Sequence, residues 1–435
     1  MLSEEKLEVT VDSELKDTHF IFTQKSARSK KILDYDYKRC SGCGICLEVC
    51  PKKAIEAGPL IEIATGLDAP PVIIDHTKCS FCGMCAAFCP VKAVRMNVND
   101  KDIFDLVEFP HLEGGVVFND KCIPCVICKN SCPEKAISVD FTFPKKKILA
   151  PFKEGKTGEI IIDMEKCTLC GLCAEFCTAF ALVEKKVSAD SLMPFEDLLV
   201  DKTKCDYCGI CVPLCPEDAI KVKGEFDEEE VKKIAPQITG NIRVDDNKCT
   251  RCGFCEKVCP YDAAEVTKPF EGNIELIDEK LKGCDPVGCH GCFNVCPSKA
   301  WIIPEGKKID VAKDFCTFCG ACEKACHVNA IGVKRRSVKH TNIADMPWAN
   351  DWKTAIGCLI TKERKRPDIS RTLHVEKAQK KIEPPNVIPL VNTRLRSSVD
   401  ERMKELSNLL RNKSIRRAWE KKAPDIAVDE IKKKL

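Results

Sequence analysis

Thirty-two of the 33 cysteines in this 435-residue chain fall into eight runs of four. The first is Cys40, Cys43, Cys46, Cys50, with two, two and three residues between successive members and Pro51 behind. The same spacing recurs at Cys79, Cys82, Cys85, Cys89; at Cys122, Cys125, Cys128, Cys132; and at Cys167, Cys170, Cys173, Cys177. It continues at Cys205, Cys208, Cys211, Cys215 and at Cys249, Cys252, Cys255, Cys259. The seventh run, Cys284, Cys289, Cys292, Cys296, is stretched by two residues in its first gap. The eighth, Cys316, Cys319, Cys322, Cys326, is regular again. Three thiolates on one tight loop can hold one side of an iron–sulfur cubane. The fourth lies about one helical turn further on and serves a neighbouring cluster, so paired runs share ligands crosswise. The pattern predicts eight 4Fe-4S clusters, with one-electron transfer as their chemistry. A run reduced to a three-iron form or emptied of its cluster is the open alternative. Structural zinc would want two cysteine pairs split by a longer spacer.

The elements that position these thiols are legible around them. Proline at 51, 90, 133, 216, 260 and 297 ends the short helical turn, because it lacks a donor and crowds the turn before it. Glycine follows the second cysteine at 44, 83, 171, 209, 253 and 320, where the backbone must come close to sulfide. Thr178 and His327 take the proline place, and Val126 takes a glycine place. His327 and His290 read as exposed neighbours or as tuners of potential through charge or hydrogen bonding to sulfur. A ligand or proton-coupled role is the alternative, since imidazole replaces thiolate in some clusters. The Asp285–Gly288 insertion reads as a change of loop shape.

β-Rich segments precede many runs, at 72–75, 116–118, 160–163, 198–201 and 242–244. Ala-Ile pairs follow others, at Ala54-Ile55, Ala136-Ile137, Ala219-Ile220 and Ala330-Ile331. Strand, cluster loop, helical turn and strand form the half-unit of a bacterial-type ferredoxin. Two halves make a domain. The predicted fold class is therefore α+β, four tandem 2×4Fe-4S domains with a basic, largely helical or extended C-terminal tail. Pairing neighbouring runs divides the chain into an N-terminal extension at 1–30, domains at 31–110, 111–190, 191–270 and 271–335, and a tail at 336–435. The fourth and fifth runs are closer together than the runs flanking them. One domain nested inside another is therefore the open alternative.

The first 24 residues are charged throughout and no stretch approaches about eighteen consecutive apolar residues. The expected setting is cytoplasmic, without a membrane span, where thiols stay reduced and serve metals rather than disulfides. Aromatics make up only 6% of the chain, so small domains need metal staples. The formal charge of +3 excludes the clusters. Each oxidised cluster with four thiolates carries about −2, which takes the holo-chain to about −13. From Ile331 to the end, 26 Lys and Arg face 13 Asp and Glu. That basic tail suits an acidic protein partner or a solvated helix over 399–422. It carries no nucleic-acid motif. Cys358 stands outside the runs and reads as a buried structural cysteine, with a ligand role across a subunit contact as the alternative.

The sequence resembles the polyferredoxins of methanogenic archaea, over about residues 30–335. Within them it is most similar to the polyferredoxin subunit of tungsten- or molybdenum-dependent formylmethanofuran dehydrogenase. The run at Cys40, the segment from Ala54 through Leu60 to Asp68-Ala69-Pro70, and the run at Cys79 carry that likeness. The resemblance implies a non-catalytic electron-transfer subunit of a large hetero-oligomer. Its expected partners are the catalytic and ferredoxin-like subunits of the dehydrogenase, to which it feeds low-potential electrons for CO2 reduction. A hydrogenase or heterodisulfide reductase complex is the alternative host, and an electron store is another. The residues agree with that division of labour. No dinucleotide fingerprint and no nucleophile–base constellation is present.

Overall fold

Alternating apolar residues build short antiparallel strands on either side of each cysteine loop. In Lys30–Asp36, Leu33 and Tyr35 are buried while Asp34 between them is not. This strand pairs with Val94–Val98, setting Leu33 opposite Met96 and Tyr35 opposite Val94. The chain was obtained as a computed structural model, which describes residues 9–106, 109–343 and 349–361, all within one compact unit, Met1–Pro367.

Around the first two runs, the strand before the first run pairs with the strand after the second. Ile55–Ala57, after the first run, pairs with Val72–Ile74, before the second. The helices Ile45–Val49 and Met84–Ala87 pack together. The described part of the N-terminal segment expected as an extension, from Thr10 on, belongs to this unit. Thr10–Lys16 and His19–Lys25 add to the Lys30–Asp36 edge and widen the sheet to five strands.

The same rule applied downstream overturns sequential pairing. Gly115–Phe118 and Ile137–Phe141 flank the third run, and they pair with Ala264–Thr267 and Gly240–Val244, which flank the sixth. Glu159–Ile162 and Phe180–Glu184 flank the fourth run, and they pair with Ile220–Lys223 and Phe195–Val200, which flank the fifth. Helix contacts follow suit, Ile127–Ser131 on Phe254–Val258 and Leu172–Phe176 on Cys211–Leu214. The fourth and fifth runs therefore form a unit inserted into the unit of the third and sixth. The division at 111–190 and 191–270 is corrected to a nested one. The shorter interval between runs four and five was its only trace in the sequence. Runs seven and eight pair as neighbours, through Phe270–Leu276 with Ile331–Val338 and Trp301–Ile302 with Asp310–Val311.

Beyond the eighth run, Ala349–Thr361 is a helix packed on Ile45–Val49 and on Ile331–Val338, with Trp352 against Phe88. Cys358 is buried on it. The helix expected at 399–422 lies outside the described residues.

Candidate metal centres

Each cysteine loop brings three thiols together, and the partner run supplies a fourth. Cys79, Cys82 and Cys85 line one cavity with Cys50. Cys249, Cys252 and Cys255 line another with Cys132. Cys167, Cys170 and Cys173 share theirs with Cys215, and Cys205, Cys208 and Cys211 share theirs with Cys177. The remaining thiols group in the same way, as their mutual electrostatics show. Burial first, then Cys43 and Cys89, pushes Cys40 up to about 12. Burial, then Cys122 and Cys259, pushes Cys128 up to about 12. Burial raises Cys316 to about 11 with Cys296 contributing, and Cys292 to about 12 with Cys284 and Cys326 contributing.

A buried quartet of thiols holds thiolates only against a compensating positive core, which is what an iron–sulfur cubane supplies. Among the described residues no group of three or more Cys, His, Asp or Glu converges tightly enough for a single metal ion. Four of the quartets surround cavities, which suits a four-iron core. Backbone amides reinforce that donor set. The N–H four residues beyond the fourth cysteine donates to its sulfur in seven runs: Ala54 to Cys50 at 3.3 Å, Ala93 to Cys89 at 3.2 Å, and Ala136, Ala219, Ala263, Ala300 and Ala330 to theirs at 3.3–3.5 Å. They include the alanines of the predicted Ala-Ile signal, small enough for the backbone to close on sulfur.

Local departures from the consensus acquire roles. Val126 sits where glycine was usual with an ordinary φ of −95°. Its N–H donates to the Cys170 carbonyl at 3.1 Å and its side chain fills the space over Gly171. It thereby joins the third-run loop to the fourth. His327 places Nδ1 3.5 Å from Cys289 Sγ, beside the stretched loop.

Two supports escaped sequence reading. Tyr35, 1% exposed, accepts the Val72 N–H at 3.2 Å and hydrogen-bonds Cys40. Tyr35→Phe is expected to leave the Val72 N–H unpaired, a cost of about 1–3 kcal/mol. It should also lower the potential of the cluster bound there, because a donor to its sulfur is lost. Thermal denaturation and EPR-monitored redox titration read the two effects, and an unmoved potential would count against the hydrogen bond to sulfur. Lys146 Nζ lies 2.6 Å from Asp206 Oδ2, the side chains 8% and 4% exposed, against the Cys177/Cys205/Cys208/Cys211 cavity. Lys146→Ala should cost about 3–5 kcal/mol, because the carboxylate between Cys205 and Cys208 is left buried without its ion pair. Hydrogen exchange across 159–223 checks it. Protection equal to wild type would show that the pair contributes nothing.

A chain with paired four-cysteine loops on small antiparallel sheets is a tandem dicluster ferredoxin by fold and donor set. The 4Fe-4S dicluster domain family matches residues 39–93, 121–181 and 204–263, a second dicluster family matches 166–220, and a 4Fe-4S binding domain matches 316–330. A ferredoxin of Methanothermococcus thermolithotrophicus is 44% identical over 63 residues, 14% of this chain and 98% of that protein. An uncharacterized ferredoxin of Methanocaldococcus jannaschii is 42% identical over 52 residues, 12% of this chain and 82% of that protein. The chain belongs to the 4Fe-4S ferredoxins and is a polyferredoxin that binds 4Fe-4S clusters and transfers electrons. Among solved structures it is similar to a chain of the formate dehydrogenase–heterodisulfide reductase–formylmethanofuran dehydrogenase complex from Methanospirillum hungatei. The TM-score is 0.52 at 28% identity, covering 80% of this chain and 91% of that one. Among the described residues no helix is long and apolar enough to cross a membrane.

Proposed function

We propose that this polyferredoxin is the subunit that delivers low-potential electrons to the CO2-reducing catalytic subunit of a formylmethanofuran dehydrogenase, in a cytoplasmic hetero-oligomer. The observation that carries this reading is the likeness to a chain of the Methanospirillum complex over most of both chains. The Ala54–Pro70 segment singled out in the sequence supports it, because it forms the helix Leu60–Ala64, which packs on the helices of the seventh and eighth runs. The 32 cysteines of the eight runs are the proposed ligands of eight clusters, one per quartet. The clusters, when bound, supply one-electron exchange. The chain's part is to hold the quartets in file and to shield them.

Contacts between units suggest the order. The quartet of Cys50 adjoins that of Cys89 within the first unit, and Cys43 there lies near Cys319 of the eighth run. Phe254 and Phe315 meet edge to face at 4.6 Å, joining the sixth run to the eighth. Lys268 Nζ, beside Cys252, donates to the Cys316 carbonyl at 3.2 Å. Cys125 and Cys170 then join the nesting unit to the nested one. The file does not follow the order of the runs in the sequence.

Affinity purification from an anaerobic lysate tests the host, with formylmethanofuran dehydrogenase subunits expected to co-purify. Recovery of hydrogenase subunits without them would overturn the assignment. Because the Methanospirillum complex also contains heterodisulfide reductase, that enzyme in the same eluate is compatible. Iron analysis tests the count, with about 32 irons per chain expected from eight four-iron clusters.

A further inference from the structure

Where the first unit meets the eighth run, one cation is buried. Arg335, on the strand Ile331–Val338, has a side chain only 3% exposed. Its Nε donates to the Phe318 carbonyl at 3.0 Å and its Nη2 to the Cys319 carbonyl at 2.6 Å, both within the eighth cysteine loop. Its Nη1 donates to Glu48 Oε2 at 3.2 Å and to the Leu359 carbonyl at 3.3 Å. Glu48 lies between Cys46 and Cys50, on the helix Ile45–Val49. Lys324, between Cys322 and Cys326, reaches the same carboxylate at 3.6 Å and lies over Gly44. One guanidinium thus ties the eighth loop, the first loop's helix and the helix Ala349–Thr361 together. Glu323 Oε2 also lies beside Arg335 Nη2 at Gly320. Two cations and two carboxylates therefore meet at the crossing, and of the two cations Arg335 is the buried one, Lys324 being 39% exposed.

We propose that Arg335 is the positioning residue of this crossing: it fixes the Cys40/Cys43/Cys46/Cys89 quartet against the Cys296/Cys316/Cys319/Cys322 quartet, and its charge raises the electron affinity of the clusters on both sides. The physical ground is Coulombic. Each cluster becomes more negative on reduction, and a cation buried away from solvent stabilises that state more than a screened surface lysine does. A planar fork with donors in three directions also orients two loops at once, which an ammonium cannot do. Burial pushes the Cys43 thiol up and Arg335 opposes that rise, consistent with the placement of the charge. The proposal rests on the cysteine assignment made above.

The test is EPR-monitored redox titration of the full cluster-loaded chain, with iron content measured on every variant. Arg335→Met should shift two clusters to more negative potential. Glu48→Gln, which unmasks the cation, should shift the same two to more positive potential. Arg335→Lys keeps the charge but loses the fork. It should hold the potentials near wild type while weakening the magnetic interaction between the two reduced clusters. A purely structural arginine would not give opposite shifts in the two charge variants. Full iron content with all potentials unmoved, or shifts of the same sign, would overturn the proposal. Should Arg335→Met fail to fold, the Glu48→Gln shift and the Arg335→Lys coupling still decide it. Unchanged iron in Cys43→Ala and Cys319→Ala would instead sink the ligand assignment on which the proposal stands.

Discussion

Replacing Cys122 and Cys259 together by alanine is expected to remove a single cluster, about four irons per chain, without a three-iron EPR signal. Both thiols belong to one quartet in the structure, since Cys259 lies against Cys122 and Cys128. Two ligands gone from one cubane leave too few to hold it. The pair Cys122 and Cys177 should behave differently. Under sequential pairing these two would share a cluster. In the nested arrangement Cys177 lies with Cys205, Cys208 and Cys211. Each alanine then removes one ligand from a different cluster, and each cluster can fall back to a three-iron form. The expected loss is about two irons, with three-iron signals appearing. Iron analysis and EPR of the two double variants, purified anaerobically, separate the arrangements cleanly. Exchanged outcomes would restore sequential pairing.

That experiment probes the part of the molecule its sequence described least well. Three members of each quartet are announced by local spacing, because three thiols on one loop are a short-range arrangement. So were the flanking strands: 72–75 and 160–163 appear as Val72–Ile74 and Glu159–Ile162. Which run supplies the fourth thiol is decided by strand pairing over long stretches of chain, and antiparallel pairing leaves no local mark. The dicluster family match at 121–181 even spans the third and fourth runs as though they were partners, while the strands pair the third with the sixth. Arg335 was equally hidden. In sequence it is one of many cations in a basic C-terminal stretch, and only the fold carries it to Glu48, 287 residues away. Val126 shows the intermediate case. Its departure from glycine was visible, but its reason, the contact with the fourth-run loop, lies in the neighbouring unit.

Stripping the iron anaerobically should unfold most of the chain and spare the first unit longest. The nested unit has two sheets of two strands each, which are marginal alone. Its core sets Ala179, Phe180, Leu198 and Ile220 around Cys173 and Cys211, with Cys167, Cys177, Cys205 and Cys215 packed against it. Sulfur on a missing cluster is a poor substitute for packed side chains, and binding energy at such sites is folding energy. The first unit instead keeps a five-stranded sheet over Phe22, Leu33, Tyr35, Met96 and Ile103. Limited proteolysis after chelation should therefore leave a fragment near 9–106 while 143–238 is degraded. Whatever structure survives should be sensitive to alkali. Burial holds up the first unit's thiols, Cys40 near 12 and Cys79 and Cys89 raised as well, above the ordinary thiol value of about 8.5. Because the folded thiols bind protons more tightly than the unfolded ones, their contribution is complete below the unfolded value. It is lost as pH rises through about 12. The loaded protein, whose thiols are committed to iron, should not show that alkaline transition. Equal protease resistance of the two segments after chelation would mean that the small sheets stand without their metal.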